Sequence, residues 1–254
     1  MVARLTSKVV VITGGGTGIG RAVARRVVAE GAAVVIGGRR SDVGEEAAAQ
    51  LRSAGSEAIF AAADVTVQAD AERLVQVALT EFGRLDGAFN NAGGVNAAGH
   101  VEAIGAVSWQ ADLAQNLTSV FYSMAAQIPA MLDSAGGGSI VNNASIGGVR
   151  GIPGMSAYVA AKHGVVGLTR CAALEGAGRG VRVNALVTGN VDTPLYRSLL
   201  GAPVGGELPG PAPNPTGRVA SPDEIAAFVA FLLSGESAFI TGAALAIDGG
   251  STAL

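Results

Sequence analysis

Val9-Val-Val-Ile-Thr-Gly-Gly-Gly-Thr-Gly-Ile-Gly20 is a β-branched apolar run that breaks into glycines and opens onto a helical pattern, Arg21 to Glu30, closed by Gly31. Val9 to Ile12 are apolar without alternation, which is how a parallel strand covered on both faces reads. Glycines at Gly14, Gly18 and Gly20 let a backbone approach a pyrophosphate, and a helix N-terminus behind them offers unbonded N–H groups and a positive dipole end. The spacing is Gly14-x-x-x-Gly18-x-Gly20 and not G-x-G-x-x-G, so the order of strand, turn and helix carries more weight than the glycines alone.

Working outward, Ala33 to Ile36 is a second apolar run at the distance of a β-α-β unit. An acidic residue at the end of that strand would hold the adenosine ribose of NAD. Gly37-Gly38-Arg39-Arg40 stands there instead. Guanidinium forks match phosphate oxygens, so the sequence favours NADP(H), with NAD(H) the alternative. Helical patterns at 42–54 and 69–82 then alternate with strands at 58–62 and around Ala88-Phe89, implying a right-handed, doubly wound parallel α/β sheet. Val107 to Leu132 reads as one long helix with Asn116 in its interior, where propensity disfavours asparagine. Val181 to Leu186 and Ala244 to Ile247 are further strands. Ser221-Pro-Asp-Glu224 has the N-cap, proline and acidic first turn of a helix running to Leu233. Residues 195–217 form a Pro/Gly-rich loop near the expected substrate site. No repeat, linker or composition break appears, so residues 1–254 read as one domain.

The chemistry lies between Ser139-Ile-Val-Asn-Asn-Ala-Ser145 and Tyr158-Val-Ala-Ala-Lys162. Ser145 falls near the carboxyl end of a strand, where open α/β sheets bind ligands. Tyr158 and Lys162 share one helix face. A phenol beside an ammonium is a proton-transfer pair whose cation pulls the tyrosine pKa down, and Ser145 could polarise a carbonyl oxygen. His163 is about 100° off that face, which points to packing or solvent; His100 follows Asn90-Asn-Ala-Gly93 and is a weak pocket candidate.

Bulk properties exclude several classes. A formal net charge of -3 and scattered basic residues give no reason to expect nucleic acid or an anionic membrane as partner. Ile225 to Leu233 is apolar but too short to span a bilayer, and the short apolar run at Val9 does not make a signal peptide. The two histidines and one cysteine form no metal-ligand cluster. Cys171, in a helical pattern, reads as a small core residue in a reducing compartment. The cytoplasm is the expected location.

Taken together, Thr13-Gly-x-x-x-Gly-x-Gly20, Asn90-Asn-Ala-Gly93, Asn116, Ser145, Tyr158-x-x-x-Lys162, Ile240-Thr-Gly and Asp248-Gly-Gly250 stand in one order along essentially the whole chain. In this the chain resembles a classical short-chain dehydrogenase/reductase. The resemblance implies a Rossmann-type sheet of about seven strands with helices on both faces, usually in a homotetramer or dimer. It implies Tyr158 as general acid/base, Ser145 orienting the substrate oxygen, Lys162 lowering the tyrosine pKa and binding the nicotinamide ribose, and Asn116 completing a relay through water. Cofactor contacts would come from Gly14, Thr17, Gly18, Ile19 and Gly20 at the pyrophosphate, and from Arg39, with Arg40 beside it, at the 2′-phosphate. Asp64 and Val65 would meet the adenine, and Asn91, Ala92 and Gly93 would line the cofactor. Gly189, Val191 and Thr193 would face the carboxamide. Thr188-Gly189 replaces the family's usual Pro-Gly, which predicts a less rigid pocket floor. The reading is a ketoreductase acting on a small-molecule ketone or secondary alcohol. Leu195, Leu199, Leu200, Met155 and Val149 favour a lipophilic or cyclic substrate such as a polyketide, steroid-like or 3-oxoacyl compound. The rivals are an NAD(H)-dependent alcohol dehydrogenase of the same fold and a non-catalytic dinucleotide-binding sensor.

Overall fold

A computed structural model describes residues 3–210 and 214–253. Strand β1 (Val9–Thr13) is fully buried, as its unbroken apolar run requires. It pairs in parallel with β2 (Ala33–Gly38) on one side and β4 (Gly87–Asn90) on the other. Adding β3 (Ala58–Ala62), β5 (Gly138–Asn143), β6 (Val181–Thr188) and β7 (Ala244–Ile247) gives an all-parallel seven-stranded sheet in the order β3-β2-β1-β4-β5-β6-β7. The order reverses between β1 and β4, and at such a reversal a crevice opens outside the strand ends.

Alternate residues of β1 serve opposite layers. Val10 and Ile12 pack with Val23 and Val27 of α1 (Gly18–Ala29), Ala47 and Leu51 of α2 (Ser41–Ser53), and Ile225 and Val229 of α8 (Pro222–Leu233). Val9 and Val11 face the other layer. There Leu74 and Ala78 of α3 (Gln68–Phe82), Val120 and Met124 of α5 (Ser119–Ala135), and Val165 and Ala172 of α6 (Ser156–Gly176) close the core. Each such fully buried aliphatic side chain contributes about 1.5–3 kcal/mol, so both layers stabilise the sheet that carries the site. The N-cap read at Ser221 is formed, and it is part of a capping box: the Ser221 N–H donates to Glu224 Oε2 at 2.9 Å.

Three expectations need correction. The long helix from Val107 is interrupted: α4 (Ala106–Leu113) passes into a π-turn over Ala114–Thr118 before α5 begins. Asn116 sits in that wide turn, fully buried. The segment 195–217 is not structureless at its start. Thr193 caps α7 (Pro194–Leu199), its hydroxyl accepting the Tyr196 N–H at 3.1 Å. Arg197 then pins the following loop through Asp192 and the Pro203 and Gly206 carbonyls. Positions 211–213 of that expected loop lie outside the described residues. Cys171 is exposed and not a core residue, because it shares the outer face of α6 with His163, Arg170 and Leu174.

Candidate active site

Along the carboxyl ends of β1, β4, β5 and β6 runs one cleft of about 750 Å³, within the range of small-molecule sites. Its first end is the glycine turn. Gly14 and Gly18 have φ of +66° and +52°, a conformation that a side chain would strain. No side chain caps α1, so its first N–H groups face the cleft unbonded. Gly20 departs from expectation: it does not line the cleft but lies beneath the turn. A Cβ there would stand 2.3 Å from the Gly14 carbonyl oxygen, so glycine at this position lets the helix close against the turn.

Beyond the turn the wall carries Arg39, Arg40, Asp64 and Val65. Both arginines are exposed and neither enters an ion pair among the described residues. Asp64 is engaged by Thr66, whose N–H and hydroxyl donate to Oδ1 at 3.1 and 2.7 Å.

At the switch point polar side chains stitch the strand ends together. Thr13 Oγ1 accepts the N–H groups of Asn91 (2.9 Å) and Ala92 (3.1 Å), and Asn143 Nδ2 donates to Asn91 Oδ1 at 3.0 Å. Thr188 Oγ1 donates to Asn143 Oδ1 at 3.2 Å. The threonine that replaces the expected proline therefore ties β6 to β5, and the floor gains a hydrogen bond where it was expected to slacken. Gly189 follows, where a Cβ would meet Asp248 Cα at 2.7 Å.

The second end holds the reactive groups. β5 and a 3₁₀ turn at Ile146–Gly148 place Ser145, which is buried; its Oγ accepts the Gly147 N–H at 3.0 Å. Accepting that bond leaves the hydroxyl hydrogen free to donate. α6 contributes Tyr158 and Lys162, which line the same cleft as Ser145 and Asn116. Lys162 is buried, and Nζ donates to the Asn143 carbonyl at 2.8 Å while lying 5.6 Å from the Tyr158 ring centroid. Burial lowers the Lys162 ammonium to about 8. Burial also raises the Tyr158 phenol, an effect that the Ser145 hydroxyl offsets in part and the Asp112 charge reinforces. The expected depression of the tyrosine pKa by Lys162 is thus not what the structure gives. The ammonium lies over the ring and bonds a carbonyl, and both groups are desolvated.

Asn116 Nδ2 donates to the Gly94 carbonyl at 2.8 Å and to the Asp112 carbonyl at 3.0 Å, and Oδ1 accepts the Gly94 N–H at 3.1 Å. One Oδ1 lone pair remains. A Cβ on Gly93 would stand 2.8 Å from that oxygen and 3.6 Å from Lys162 Nζ, so the glycine leaves room for about one water between them.

Thr17, Ile19, Ala92, Gly93, Val191 and Thr193 also line the cleft, as do Leu195, Leu199, Leu200 and Met155. Val149 is exposed and does not, and neither do His100 and His163; the latter bonds its own helix at the Val159 carbonyl. Among the described residues no group of three His, Cys, Asp or Glu side chains is placed to hold a metal ion. Missed from the sequence were Asn143, the acceptor for Lys162, and Arg150 and Ile152, which line the substrate end. The Asn142-Asn143 pair ending β5 was a signal for the first, since a strand closing in amides at a switch point is polar for a reason.

Comparison with known proteins agrees with this geometry. The family model described as Enoyl-(acyl carrier protein) reductase matches residues 14–252. Cyclohexanol dehydrogenase of Acinetobacter sp. (strain SE19) is 39% identical over 249 residues, covering 98% of this chain and 96% of that protein. Levodione reductase of Leifsonia aquatica is 40% identical over 259 residues, with 98% and 96% covered. A crystal structure of levodione reductase superposes with a TM-score of 0.89 at 37% identity, covering 98% of this chain and 99% of that one.

The chain belongs to the short-chain dehydrogenase/reductase family and is an oxidoreductase acting between CH–OH and C=O groups with a nicotinamide dinucleotide.

Proposed function

We propose that this family member is an NADP(H)-dependent ketoreductase for a lipophilic, cyclic ketone or the corresponding secondary alcohol. The observation that carries the reading is the convergence of Ser145, Tyr158 and Lys162 at the apolar end of a cleft whose other end is the glycine turn. The bound dinucleotide supplies or takes up the hydride at the reacting carbon. Tyr158 gives its phenolic proton to the carbonyl oxygen in reduction and receives it back in oxidation. Burial keeps that phenol protonated, the form reduction requires. Ser145 donates its free hydroxyl hydrogen to the same oxygen. Lys162 has two N–H donors beyond the one given to Asn143 and directs them to the nicotinamide ribose. Asn116 offers its remaining lone pair to a relay water.

Gly14, Thr17, Gly18 and Ile19 seat the pyrophosphate, with Gly20 shaping that seat from below. Asp64 and Val65 border the adenine; Asn91, Ala92 and Gly93 back the cofactor; Gly189, Val191 and Thr193 receive the carboxamide. Arg39 and Arg40, exposed on the cleft wall without an acidic partner among the described residues, support the preference for a 2′-phosphate. Cyclic substrates appear in the names of cyclohexanol dehydrogenase and levodione reductase, and Ile152, Met155, Leu195, Leu199 and Leu200 give this cleft a matching apolar wall. Residues 1–254 form one domain. The exposed Phe121, Leu174 and Phe239 suit subunit contacts in a homotetramer. The single exposed thiol, and described helices too short or too polar to cross a membrane, suit a cytoplasmic enzyme.

Fluorescence titration with NADPH and NADH, repeated on Arg39→Ala, tests the cofactor. Tighter NADPH binding that is lost in the variant is the expected result; equal NADH binding would remove the 2′-phosphate argument.

A further inference from the structure

Asp112, on the last turn of α4, is fully buried, yet no cation lies within ion-pair distance of it among the described residues. Its charge is held by hydrogen bonds alone. Oδ1 accepts the Asn96 N–H at 2.9 Å and Asn96 Nδ2 at 3.0 Å, with Asn116 Nδ2 at 3.3 Å; Oδ2 accepts the Ala97 N–H at 3.0 Å. Every partner is a donor, so the site fits an acceptor-only carboxylate and not a carboxamide, whose NH₂ would face an N–H. An uncompensated buried carboxylate is costly.

The charge has an address. The two segments that Asp112 joins, residues 94–97 and the π-turn, enclose Asn116 and Gly93. A Cβ built on Gly93 would lie 3.6 Å from Lys162 Nζ. The ionisable groups α6 brings to this side are Tyr158 and Lys162, since His163 points to solvent. Residues 91–99, α4 and the π-turn carry no ionisable side chain except Asp112, and α5 adds only Tyr122 and Asp133 farther along. Burial is the main reason that the Tyr158 phenol is raised, and the Asp112 charge adds to it in the same direction.

We propose that Asp112 is a positioning residue of this active site: its buried carboxylate fastens residues 96–97 to the end of α4, fixes which way the Asn116 amide faces, and leaves an uncompensated negative charge beside the relay that favours the proton-donating, carbonyl-reducing direction. A flipped Asn116 would turn its oxygen toward Asp112 and be repelled, so one carboxylate both orients the relay amide and biases the proton donor.

The inference rests on Tyr158 being the proton-transfer group, and the experiment separates the two claims. Oxidation of cyclohexanol with NADP⁺ is followed from pH 6 to 11 for the wild-type enzyme, Tyr158→Phe, Asp112→Asn and Asn96→Ala, with a thermal melt of each. Loss of turnover in Tyr158→Phe secures the underlying reading; full turnover there would overturn that reading. For Asp112→Asn the rising limb of kcat/KM moves to lower pH by about half a unit or more, because the negative charge beside the relay is gone. A lowered Tm with the limb at its wild-type position means a structural role only and overturns the proposal. Asn96 is exposed, so Asn96→Ala remains informative if Asp112→Asn does not fold. Removing one donor to the carboxylate lowers kcat about threefold or more and leaves the limb at or above its wild-type pH. Unchanged kcat with an unchanged limb, or a limb moved downward, overturns the proposal.

Discussion

Replacing Lys162 by methionine removes the one buried ammonium at the reactive end of the cleft, and its effect on stability is set by pH. Burial lowers the Lys162 pKa from 10.5 to about 8 in the folded protein, with no carboxylate to offset it. The sign follows from proton counting. Between those two pH values the unfolded chain holds a proton that the folded protein has released, so this group's contribution to stability rises with pH across that window. Below about pH 8 the ammonium is charged in both states, and its desolvation is a constant cost to the fold. A tenfold change in a proton dissociation constant corresponds to about 1.36 kcal/mol, so the rise across the window amounts to about 3 kcal/mol. Lys162→Met abolishes it. Urea unfolding of the dinucleotide-free protein, wild type against Lys162→Met, measures the difference at pH 7 and pH 10.5. The wild type gains about 3 kcal/mol on the variant over that range. A difference independent of pH would show that the ammonium is solvated in the folded protein, and would refute the reading of Lys162 as desolvated at the Asn143 carbonyl.

Gly93→Ala puts a methyl group 2.8 Å from Asn116 Oδ1 and fills the space between Asn116 and Lys162; kcat falls about tenfold in steady-state assays while the melting curve changes little. Gly20→Ala drives a Cβ against the Gly14 carbonyl at 2.3 Å, and NADPH titration shows about tenfold weaker binding as the turn is pushed out of shape. Gly178→Ala, which meets nothing within 4 Å, binds as the wild type does. The buried Glu30 carboxylate lies below its usual range: the Arg4 and Arg26 hydrogen bonds outweigh the opposing effect of burial. Asp86 is likewise lowered by Arg84, the Val9 N–H and Lys8 against its own burial. Both contribute stability fully present above the unfolded pKa values of 4.5 and 3.8 and lost as pH falls through the folded ones. Glu30→Gln therefore flattens the acid limb of the stability profile and destabilises the protein by about 2 kcal/mol at pH 7, read by urea unfolding.

Much of this architecture is written locally. Val9 to Ile12 are buried on both faces because the sheet is parallel and covered twice, and an uninterrupted apolar run states that directly. Tyr158 and Lys162 meet because helix geometry brings i and i+4 together. The π-turn at Asn116 was not legible, since the bonds that residues 94–97 make there, to Asn116 and Asp112, join segments far apart in sequence. The Tyr158 pKa was misjudged because sequence places Lys162 beside the phenol but does not show that the phenol itself is desolvated. Cys171 could have been placed correctly: its outer helical face is marked by Arg170 and His163, and alanine-rich surroundings concealed it. The start of α7 was also marked, by Thr193 ahead of Pro194, the N-cap and first-turn proline of a helix.

The most direct test of Tyr158 as the proton-transfer group is the turnover of cyclohexanol and cyclohexanone with NADP(H) by the wild-type enzyme and by Tyr158→Phe, both shown by fluorescence titration to bind NADPH. Turnover by the wild type is expected, with a loss of about a thousandfold or more in kcat for the variant and dinucleotide affinity kept within about threefold. A Tyr158→Phe enzyme that reduces the ketone at the wild-type rate would contradict that role.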